Sequence, residues 1–246
     1  MKNYMIIGAT SGIGEACAKK LADDNNVLIV VGRNQKKLSD LQKSLKGHIL
    51  PITYDLENIY DIKKIYEICF QKKIKLDGLI YSAGIDGTWP VKINPIDKMR
   101  QMMDVNCFAF VELAKHFYSK RNSNDGASIV AISSISSLTM EPGMMAYSAS
   151  KAALNSVVKT MAKEFIRRKI RVNAVLPSGV MTGMTEEKGE LIETVQGVVQ
   201  SLKHENVQGL GMISPEQVAE EVAFLLSDKT LYKTGELEVI SGGKWY

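Results

Sequence analysis

Short apolar runs alternate with longer segments of helical periodicity along almost the whole chain. Apolar runs of about four to eight residues are typical of buried strands, and apolar residues spaced three or four positions apart are typical of helices. Strands are predicted at Tyr4–Ile7, Val27–Val31, His48–Thr53, Leu76–Tyr81, Ala127–Ile132, Arg171–Leu176 and Leu237–Ile240. A first helix is predicted after Gly14, and further helices at Gln35–Lys46, Ile59–Lys73, Ile96–Lys120, Tyr147–Lys169 and from Ser214 to about Ser227.

The alternation of strand and helix predicts an α/β fold, a doubly wound parallel sheet of Rossmann type with helices on both faces. The length suits one domain, residues 1–246. Right-handed crossovers place the turns that follow the strands along one edge of such a sheet. Residues 180–214 show no clear element and are punctuated by glycines, which predicts a substrate-binding loop inserted near that edge.

Composition narrows the classes of function. Hydrophobic residues make up 45% and charged residues 24%, and no apolar run approaches the roughly 18 residues of a membrane span. The first apolar run is too short for a signal peptide, so a cytoplasmic protein is expected. The net charge of +4 is scattered over helices, which argues against a nucleic-acid partner. Reduced thiols are expected for the three separated cysteines, and no metal site is expected because no His lies at metal-ligand spacing.

The turn after the first strand contains Gly8, Gly12 and Gly14, and a helix follows it. Glycine permits a sharp turn and a close approach of ligand to backbone, while a helix N-terminus offers unpaired N–H groups to an anion. A Gly-rich turn alone is a weak signal, because a tight strand–helix turn uses the same residues. Its position as the first turn of an α/β chain predicts that it binds a dinucleotide diphosphate.

The residues after the second strand bear on the choice of cofactor. A carboxylate there would hydrogen-bond the adenosine ribose of NAD(H), but this chain has Arg33 and Asn34. Because a guanidinium matches a 2′-phosphate, NADP(H) is predicted over NAD(H); the alternative is that Arg33 is a solvated turn residue. Asn34 is predicted to cap the next helix. Asp55, after the third strand, either bonds the adenine amino group or caps a helix.

Ser134, Tyr147 and Lys151 form the pattern of a proton-transfer site. Tyr147 and Lys151 lie one helical turn apart, and the ammonium group is expected to lower the pKa of the phenol. Ser134, at the end of the fifth strand, is placed to hold the oxygen that receives the proton. A second Tyr–Lys pair with the same spacing, Tyr60 and Lys64, lacks such a serine and is interpreted as a solvated helix face.

Together these motifs resemble the classical short-chain dehydrogenase/reductase family over almost the whole chain. The resemblance rests on GATSGIG at 8–14, Asp55-Leu56, SAG at 82–84, Asn106, Ser134, YSASK at 147–151, Asn173, Pro177, Thr182 and TGELEVISGG at 234–243. It implies the strand order 3-2-1-4-5-6-7. It also implies an oxidoreductase that passes hydride between a nicotinamide cofactor and a ketone or secondary alcohol.

The resemblance implies roles for individual residues. Tyr147 would be the acid/base, Ser134 would polarise the substrate oxygen, and Lys151 would also contact the nicotinamide ribose. Asn106, a polar residue inside a predicted helix, would hold a water linked to Lys151. The implied cofactor-binding residues are Gly8, Thr10, Ser11, Gly12, Ile13, Gly14, Arg33, Asn34, Asp55, Leu56, Ser82, Ala83, Gly84, Tyr147, Lys151, Pro177, Ser178, Val180 and Thr182.

The chain departs from the family pattern at four supporting positions. Ile7 and Ser82 stand where the family usually has Thr and Asn, and Ser178 separates a proline and glycine that are usually adjacent. Ser11 stands where a basic residue often assists NADP binding. The preference for NADP(H) therefore depends on Arg33.

The substrate is less well defined. Met140, Met144, Met145 and Met184 are predicted to line its pocket, because flexible thioethers suit bulky apolar ketones; the alternative is that they fill the core. Relatives of this length often resemble 3-oxoacyl-(acyl-carrier-protein) reductases, which implies an acyl carrier protein as a partner.

Arg168 lies where a basic carrier-binding residue is expected, whereas Asp125 occupies the other such position. A non-catalytic NADP(H)-binding sensor is a further alternative, although the presence of Tyr147 and Lys151 argues against it. The family also implies a homotetramer or homodimer that uses the helices Ile96–Lys120 and Tyr147–Lys169.

Overall fold

The computed structural model describes residues 2–181 and 208–244. Within these residues seven parallel strands form one sheet. The strands are β1 (Lys2–Ile7), β2 (Asn26–Gly32), β3 (His48–Thr53), β4 (Leu76–Tyr81), β5 (Ser123–Ile132), β6 (Arg171–Pro177) and β7 (Leu237–Ile240). Their order is β3-β2-β1-β4-β5-β6-β7, which confirms the doubly wound α/β fold.

The strand order reverses between β1 and β4, and the strand ends lie level there. Ile7 of β1 pairs with Val31 of β2 and with Tyr81 of β4, and Tyr81 pairs with Ala131 of β5. In open α/β sheets, ligands bind outside the carboxyl ends of the strands at such a switch point. The fold therefore places the turns after β1, β4 and β5 side by side.

Helices cover both faces of the sheet. They are α1 (Gly12–Leu21), α2 (Gln35–Ser44), α3 (Lys63–Gln71), α4 (Ile96–Met103), α5 (Ala109–Phe117), α6 (Ser136–Thr139), α7 (Met145–Phe165) and α8 (Pro215–Leu226). Buried residues of α1, α2 and α8 pack on one face, and those of α3, α5 and α7 pack on the other. None of the helices within the described ranges is long and apolar enough to cross a membrane.

Strand β1 shows how one sheet serves two cores. Tyr4 and Ile6 belong to the core under α1, α2 and α8, whereas Met5 and Ile7 belong to the core under α3, α5 and α7. Successive side chains point to opposite faces of a strand, so a parallel sheet covered on both faces needs a nearly continuous apolar sequence. This requirement explains why the strands are visible in the sequence as short apolar runs.

The helix predicted at Ile96–Lys120 is interrupted in the structure. Helices α4 and α5 are joined by a π-helical turn at Asp104–Phe108, with Asn106 at its centre. A π turn inserts an extra residue and disturbs the regular hydrogen bonding of the helix. The Tyr81 hydroxyl, at the end of β4, donates to the Val105 carbonyl within this turn.

Several element boundaries differ from those predicted. Strand β5 begins at Ser123, four residues before the predicted start, and its register with β4 is irregular near Leu76. The helix start at Ser214 is confirmed by a capping box with Gln217. The predicted substrate loop at 180–214 lies mostly outside the described residues.

Arg168 is not the exposed carrier-binding residue that was expected. Its guanidinium is buried and donates to Asp125 Oδ1 at 2.7 Å, to Ser123 Oγ at 3.1 Å and to the Ser123 carbonyl at 2.8 Å. Asp125 lies inside β5, not before it. The interpretation of Arg168 as a grip for a carrier protein is therefore wrong, because its donors join the turn after α7 to the start of β5.

Candidate active site

The turn between β1 and α1 is packed so closely that two positions require glycine. At Gly8 the φ angle is +83°, and a Cβ would lie 2.7 Å from the backbone nitrogen of Ala83. At Gly14 a Cβ would lie 2.1 Å from the carbonyl oxygen of Gly8. The Gly8 N–H also donates to the Val31 carbonyl at 2.9 Å. The turn is thus held against the ends of β2 and β4, at the switch point.

The N-terminus of α1 keeps its N–H groups available to a ligand. Ser11 is the N-cap residue, and its side chain makes no capping hydrogen bond. The first-turn N–H groups of Gly12, Ile13 and Gly14 therefore have no side-chain acceptor from the cap, and they lie at the positive end of the helix dipole. Such a terminus beside a glycine cradle fits the diphosphate of a dinucleotide.

The end of β2 adjoins this turn. A Cβ at Gly32 would lie 2.8 Å from Thr10 Cγ2, so Thr10 packs directly against the strand end. Arg33 and Asn34 follow and are exposed. Asn34 caps α2 as predicted, because its Oδ1 accepts from the Lys37 N–H at 3.0 Å. Arg33 is thus exposed at the end of β2, next to the glycine turn.

The end of β3 carries Asp55 and Leu56. Asp55 is exposed, and its Oδ1 accepts from the Glu57 N–H at 3.1 Å within a turn, whereas Asn58 and Ile62 are the N-cap residues of the helical segments that follow. Leu56 is buried. The interpretation of Asp55 as a helix cap is therefore wrong, and a bond to adenine stays a prediction.

Ser82, Ala83 and Gly84 extend from β4 toward the predicted catalytic residues. The Ser82 N–H donates to the Ile7 carbonyl at 2.9 Å. A Cβ at Gly84 would lie 3.4 Å from both Asn106 Oδ1 and Lys151 Nζ. This segment therefore connects the glycine turn to Lys151 over a few residues.

Ser134, Tyr147 and Lys151 meet where β5 ends and α7 begins. The Ser134 side chain lies close enough to the Tyr147 phenol to lower its pKa. Lys151 Nζ lies 5.8 Å from the centroid of the Tyr147 ring and donates to the Ile132 carbonyl at 2.9 Å. The structure thus brings together the three residues that the sequence singled out.

Burial dominates the titration of this group. Burial raises the pKa of Tyr147 to about 12; the nearby Ser134 side chain opposes this increase and the charge of Asp86 adds to it. Burial lowers the pKa of Lys151 to about 8, against the opposing influence of Asp86 and Cys107. The pKa of Tyr147 is raised and not lowered as expected, because desolvation dominates and the Lys151 ammonium donates to the Ile132 carbonyl. Tyr147 is a protonated phenol at neutral pH.

Asn106 joins the π turn to the segment after β4. Its Oδ1 accepts from the Ile85 N–H at 2.8 Å, and its Nδ2 donates to the Ile85 carbonyl at 2.9 Å. The same Nδ2 donates to Ser150 Oγ at 2.9 Å, and Ser150 in turn donates to the Tyr147 carbonyl at 2.7 Å. Both hydrogens of the Asn106 side-chain amide are thereby used. A water bound to Asn106 would therefore have to contact a different atom of that residue.

Two further polar residues support Ser134, and sequence reasoning missed both. Ser137 Oγ donates to the Ser134 carbonyl at 2.6 Å, and Asn155 Nδ2 donates to Ser137 Oγ at 2.7 Å. All three residues are buried. Asn155 lies four residues after Lys151, so a polar residue on the same helix face was the available signal.

The loop after β6 closes another side of the site. Ile135, next to Ser134, donates its N–H to the Pro177 carbonyl at 3.0 Å. The Ser178 hydroxyl donates to the Ser241 carbonyl at 2.9 Å, which connects this loop to the residues after β7. Val180 forms a β-bridge with Ile213. Thr182 and Met184 lie outside the described residues.

The predicted pocket methionines of the described chain lie in the segment between Ser134 and Tyr147. Met140 is 64% exposed with φ +50°, and Met145 is 36% exposed, so neither fills the core. Met144 Sδ accepts from Thr88 Oγ1 at 3.5 Å. Their position leaves the pocket role as a prediction and rules out core filling for Met140 and Met145.

The remaining candidate groups lie apart from this site. Tyr60 is 94% exposed and Lys64 pairs with Asp61, which confirms a solvated helix face. Cys17, Cys69 and Cys107 are buried and free, as predicted. Within residues 2–181 and 208–244, no three His, Cys, Asp or Glu side chains are grouped to hold a metal ion.

The two hydrogen bonds from Asn106 to Ile85 predict a large cost for Asn106→Ala. Both backbone groups of Ile85 would lose their partner, so the free energy of unfolding should fall by about 3 kcal/mol. Ser150→Ala is the matched control, since it removes the Ser150 bonds to Asn106 and to the Tyr147 carbonyl but leaves Ile85 paired, and it should cost about 1 kcal/mol. Urea unfolding measures both values, and equal losses in the two variants would show that Asn106 does not hold Ile85.

Comparison with known proteins agrees with this geometry. A model of the short chain dehydrogenase family matches residues 2–192. The chain is 33% identical over 243 residues to the 3-oxoacyl-(acyl-carrier-protein) reductase of Rickettsia conorii, covering 98% of this chain and 96% of the relative.

Two solved structures share the fold over nearly their whole length. L-sorbose reductase from Gluconobacter frateurii, complexed with NADPH and L-sorbose, superposes with a TM-score of 0.89 at 25% identity, covering 99% of this chain and 96% of that one. A 4-hydroxyisoleucine dehydrogenase complexed with NADH superposes with a TM-score of 0.86 at 31% identity, covering 99% and 98%. The chain described here belongs to the short-chain dehydrogenase/reductase family of oxidoreductases.

Proposed function

We propose that this chain is an NADP(H)-dependent oxidoreductase that reversibly reduces a ketone to a secondary alcohol. The observation that carries the proposal is the grouping of Ser134, the protonated phenol of Tyr147 and the buried ammonium of Lys151, whose Nζ lies 5.8 Å from the centroid of the Tyr147 ring. A neutral phenol is a proton donor, and Ser134 adds a second donor for the same substrate oxygen. This pair suits an oxygen that gains negative charge, as a ketone oxygen does during reduction.

In the proposed reaction each part of the site has one task. Tyr147 gives its proton to the ketone oxygen, and Ser134 hydrogen-bonds that oxygen as its charge develops. A bound nicotinamide supplies hydride to the ketone carbon. Lys151, although its pKa is about 8, still carries a charge at neutral pH and stabilises the phenolate that Tyr147 becomes. Asn106 is hydrogen-bonded to Ile85 and Ser150 and thereby fixes the positions of Tyr147 and Lys151 relative to the segment after β4.

The cofactor-binding residues named from the sequence suit a dinucleotide. The Gly8–Gly14 turn and the uncapped terminus of α1 fit the diphosphate, and Gly84 leaves room beside Lys151 for a ribose. We favour NADP(H) because Arg33 places a guanidinium at the end of β2, where NAD(H) binding calls for a carboxylate. The relatives do not decide this preference, because one solved structure holds NADPH and another holds NADH.

Two classes of substrate are candidates. Similarity to the Rickettsia enzyme supports a 3-oxoacyl thioester as one candidate substrate and an acyl carrier protein as one candidate partner. The burial of the Arg168 guanidinium, which is paired with Asp125, weakens that candidate. The L-sorbose reductase and 4-hydroxyisoleucine dehydrogenase structures support small polar substrates.

A homotetramer or homodimer through α4, α5 and α7 is proposed because Phe108 is 47% exposed beside them.

Tyr147→Phe tests the chemistry. The variant keeps the ring but loses the proton donor, so NADPH-dependent ketone reduction should fall by about 10²–10⁴-fold. NADPH binding, measured by calorimetry, should be nearly unchanged. The assay is NADPH oxidation with a panel of acyl thioesters, steroids and cyclic ketones.

Tyr60→Phe is the matched control, because it alters the exposed Tyr of the other Tyr–Lys pair and should keep full activity. Undiminished turnover by Tyr147→Phe would reject the proposed role of Tyr147. Tight NADPH binding by a wild-type chain that reduces no ketone would favour the sensor alternative.

Arg33→Asp tests the cofactor preference. Loss of the guanidinium and gain of a carboxylate should weaken NADPH binding by roughly ten- to a hundredfold, because a charge-assisted contact is lost. NADH binding should change by less than about threefold. Arg167→Asp is the matched charge reversal at an exposed arginine near the opposite end of the sheet. Equal losses for the two cofactors in Arg33→Asp would remove the reason for choosing NADP(H).

A further inference from the structure

Ser134 lies in a tight turn that its own backbone and side chain help to close. The Ser134 carbonyl accepts from the Ser137 N–H at 3.1 Å, and Ser134 Oγ accepts from the Ser136 N–H at 3.1 Å. The second of these bonds occupies a lone pair of the hydroxyl and does not use its hydrogen. The turn therefore leaves Ser134 able to donate to an oxygen in the site.

Two buried side chains connect this turn to α7. Asn155 Nδ2 donates to Ser137 Oγ at 2.7 Å, and Ser137 Oγ donates to the Ser134 carbonyl at 2.6 Å. All three residues are buried, so water competes little for these bonds. Asn155 and Ser137, named here the Asn155 relay, thus hold the backbone of Ser134 from the helix that carries Tyr147.

Helix α7 holds the chain around Ser134 at two points. The relay begins one helical turn after Lys151, on the same face of α7. Lys151 Nζ donates to the Ile132 carbonyl at 2.9 Å, two residues before Ser134. The second point is Ser137, three residues after Ser134. Because Tyr147 lies on the same helix, these bonds fix the Ser134 hydroxyl relative to the Tyr147 phenol.

The Asn155 amide contributes to this arrangement through its nitrogen alone. Among residues 2–181 and 208–244, Asn155 Oδ1 is buried and has no hydrogen-bond partner. A buried acceptor without a partner is costly, so the oxygen does not explain an amide at this position. Leucine has nearly the shape of asparagine and lacks its donor. Asn155→Leu therefore removes the bond to Ser137 and little else.

We propose that Asn155 is a positioning residue, which acts through Ser137 to hold the Ser134 hydroxyl where the ketone oxygen gains negative charge. The proposal rests on the proposed ketone reduction. A donor aimed at that oxygen acts mainly in the transition state, and a small displacement of the donor weakens its effect. Loss of the relay should therefore lower kcat and change KM little.

Asn155→Leu tests this role with a ketone that the wild-type chain reduces. kcat should fall roughly tenfold, and KM and the Kd of NADPH should each stay within about twofold of the wild-type values. Ser137→Ala breaks the relay by the loss of one oxygen atom and should show the same pattern. Ser156→Ala, which alters the exposed neighbour of Asn155 on α7, is the control and should leave kcat unchanged.

The decisive comparison places Asn155→Leu in a Ser134→Ala background. Ser134→Ala alone should lower kcat about 10²–10³-fold, as expected for the loss of a donor to the developing charge. If Asn155 acts through Ser134, Asn155→Leu should then cause no further loss beyond about twofold. The same tenfold loss in both backgrounds would overturn the proposal, because Asn155 would then support Tyr147 and Lys151 independently of Ser134.

The outcomes separate this role from the proposed reduction. A wild-type chain that reduces no ketone would reject the proposed function. An active wild-type chain whose kcat is unaffected by both Asn155→Leu and Ser137→Ala would reject the role of Asn155 alone. A rise in KM with kcat unchanged would also reject it, because the relay would then act on substrate binding and not on the Ser134 hydroxyl.

Discussion

The pair of hydrogen bonds between Asn106 and the backbone of Ile85 holds two walls of the site together. One partner lies in a π turn between α4 and α5, and the other lies in the segment after β4. Through Ser150 the same amide also reaches the first turns of α7, where Tyr147 and Lys151 lie. Because buried polar groups are costly to leave unpaired, these bonds fix the relative positions of three separate elements. The positions of Tyr147 and Lys151 relative to the segment after β4 depend on these bonds.

Burial then sets the chemistry of the residues so positioned. A phenol with a raised pKa and a lysine with a lowered pKa are both consequences of one desolvated environment. In the proposed reaction, the protonated phenol beside Ser134 gives its proton to a ketone oxygen. The glycine turn at the switch point lies on the same sheet edge, so cofactor and proton donor can act on one substrate. The fold therefore supplies proximity, while burial supplies the protonation states.

Sequence reasoning predicted the parts of this arrangement that follow from repeating patterns or short spacings. The seven apolar runs were sufficient because every strand is covered on both faces. The Tyr147–Lys151 pair could be distinguished from the exposed Tyr60–Lys64 pair because it has an associated serine, Ser134, at the end of a strand. The π turn at Asn106 was not predictable, since it depends on contacts with Tyr81 and Ile85 from another part of the chain. The burial of Arg168 was not predictable for the same reason, because its partners are distant in sequence. The raised pKa of Tyr147 was not predictable because it depends on packing.

The most direct test of the central claim is the fate of a label on the cofactor. The wild-type chain would be incubated with NADPH carrying deuterium at the transferable position of the nicotinamide, together with a ketone that it reduces. If the site performs the proposed reaction, mass spectrometry of the alcohol will show one deuterium on the carbinol carbon, while the hydroxyl proton comes from Tyr147 and exchanges with water. Alcohol that forms without deuterium on that carbon would contradict hydride transfer from the nicotinamide.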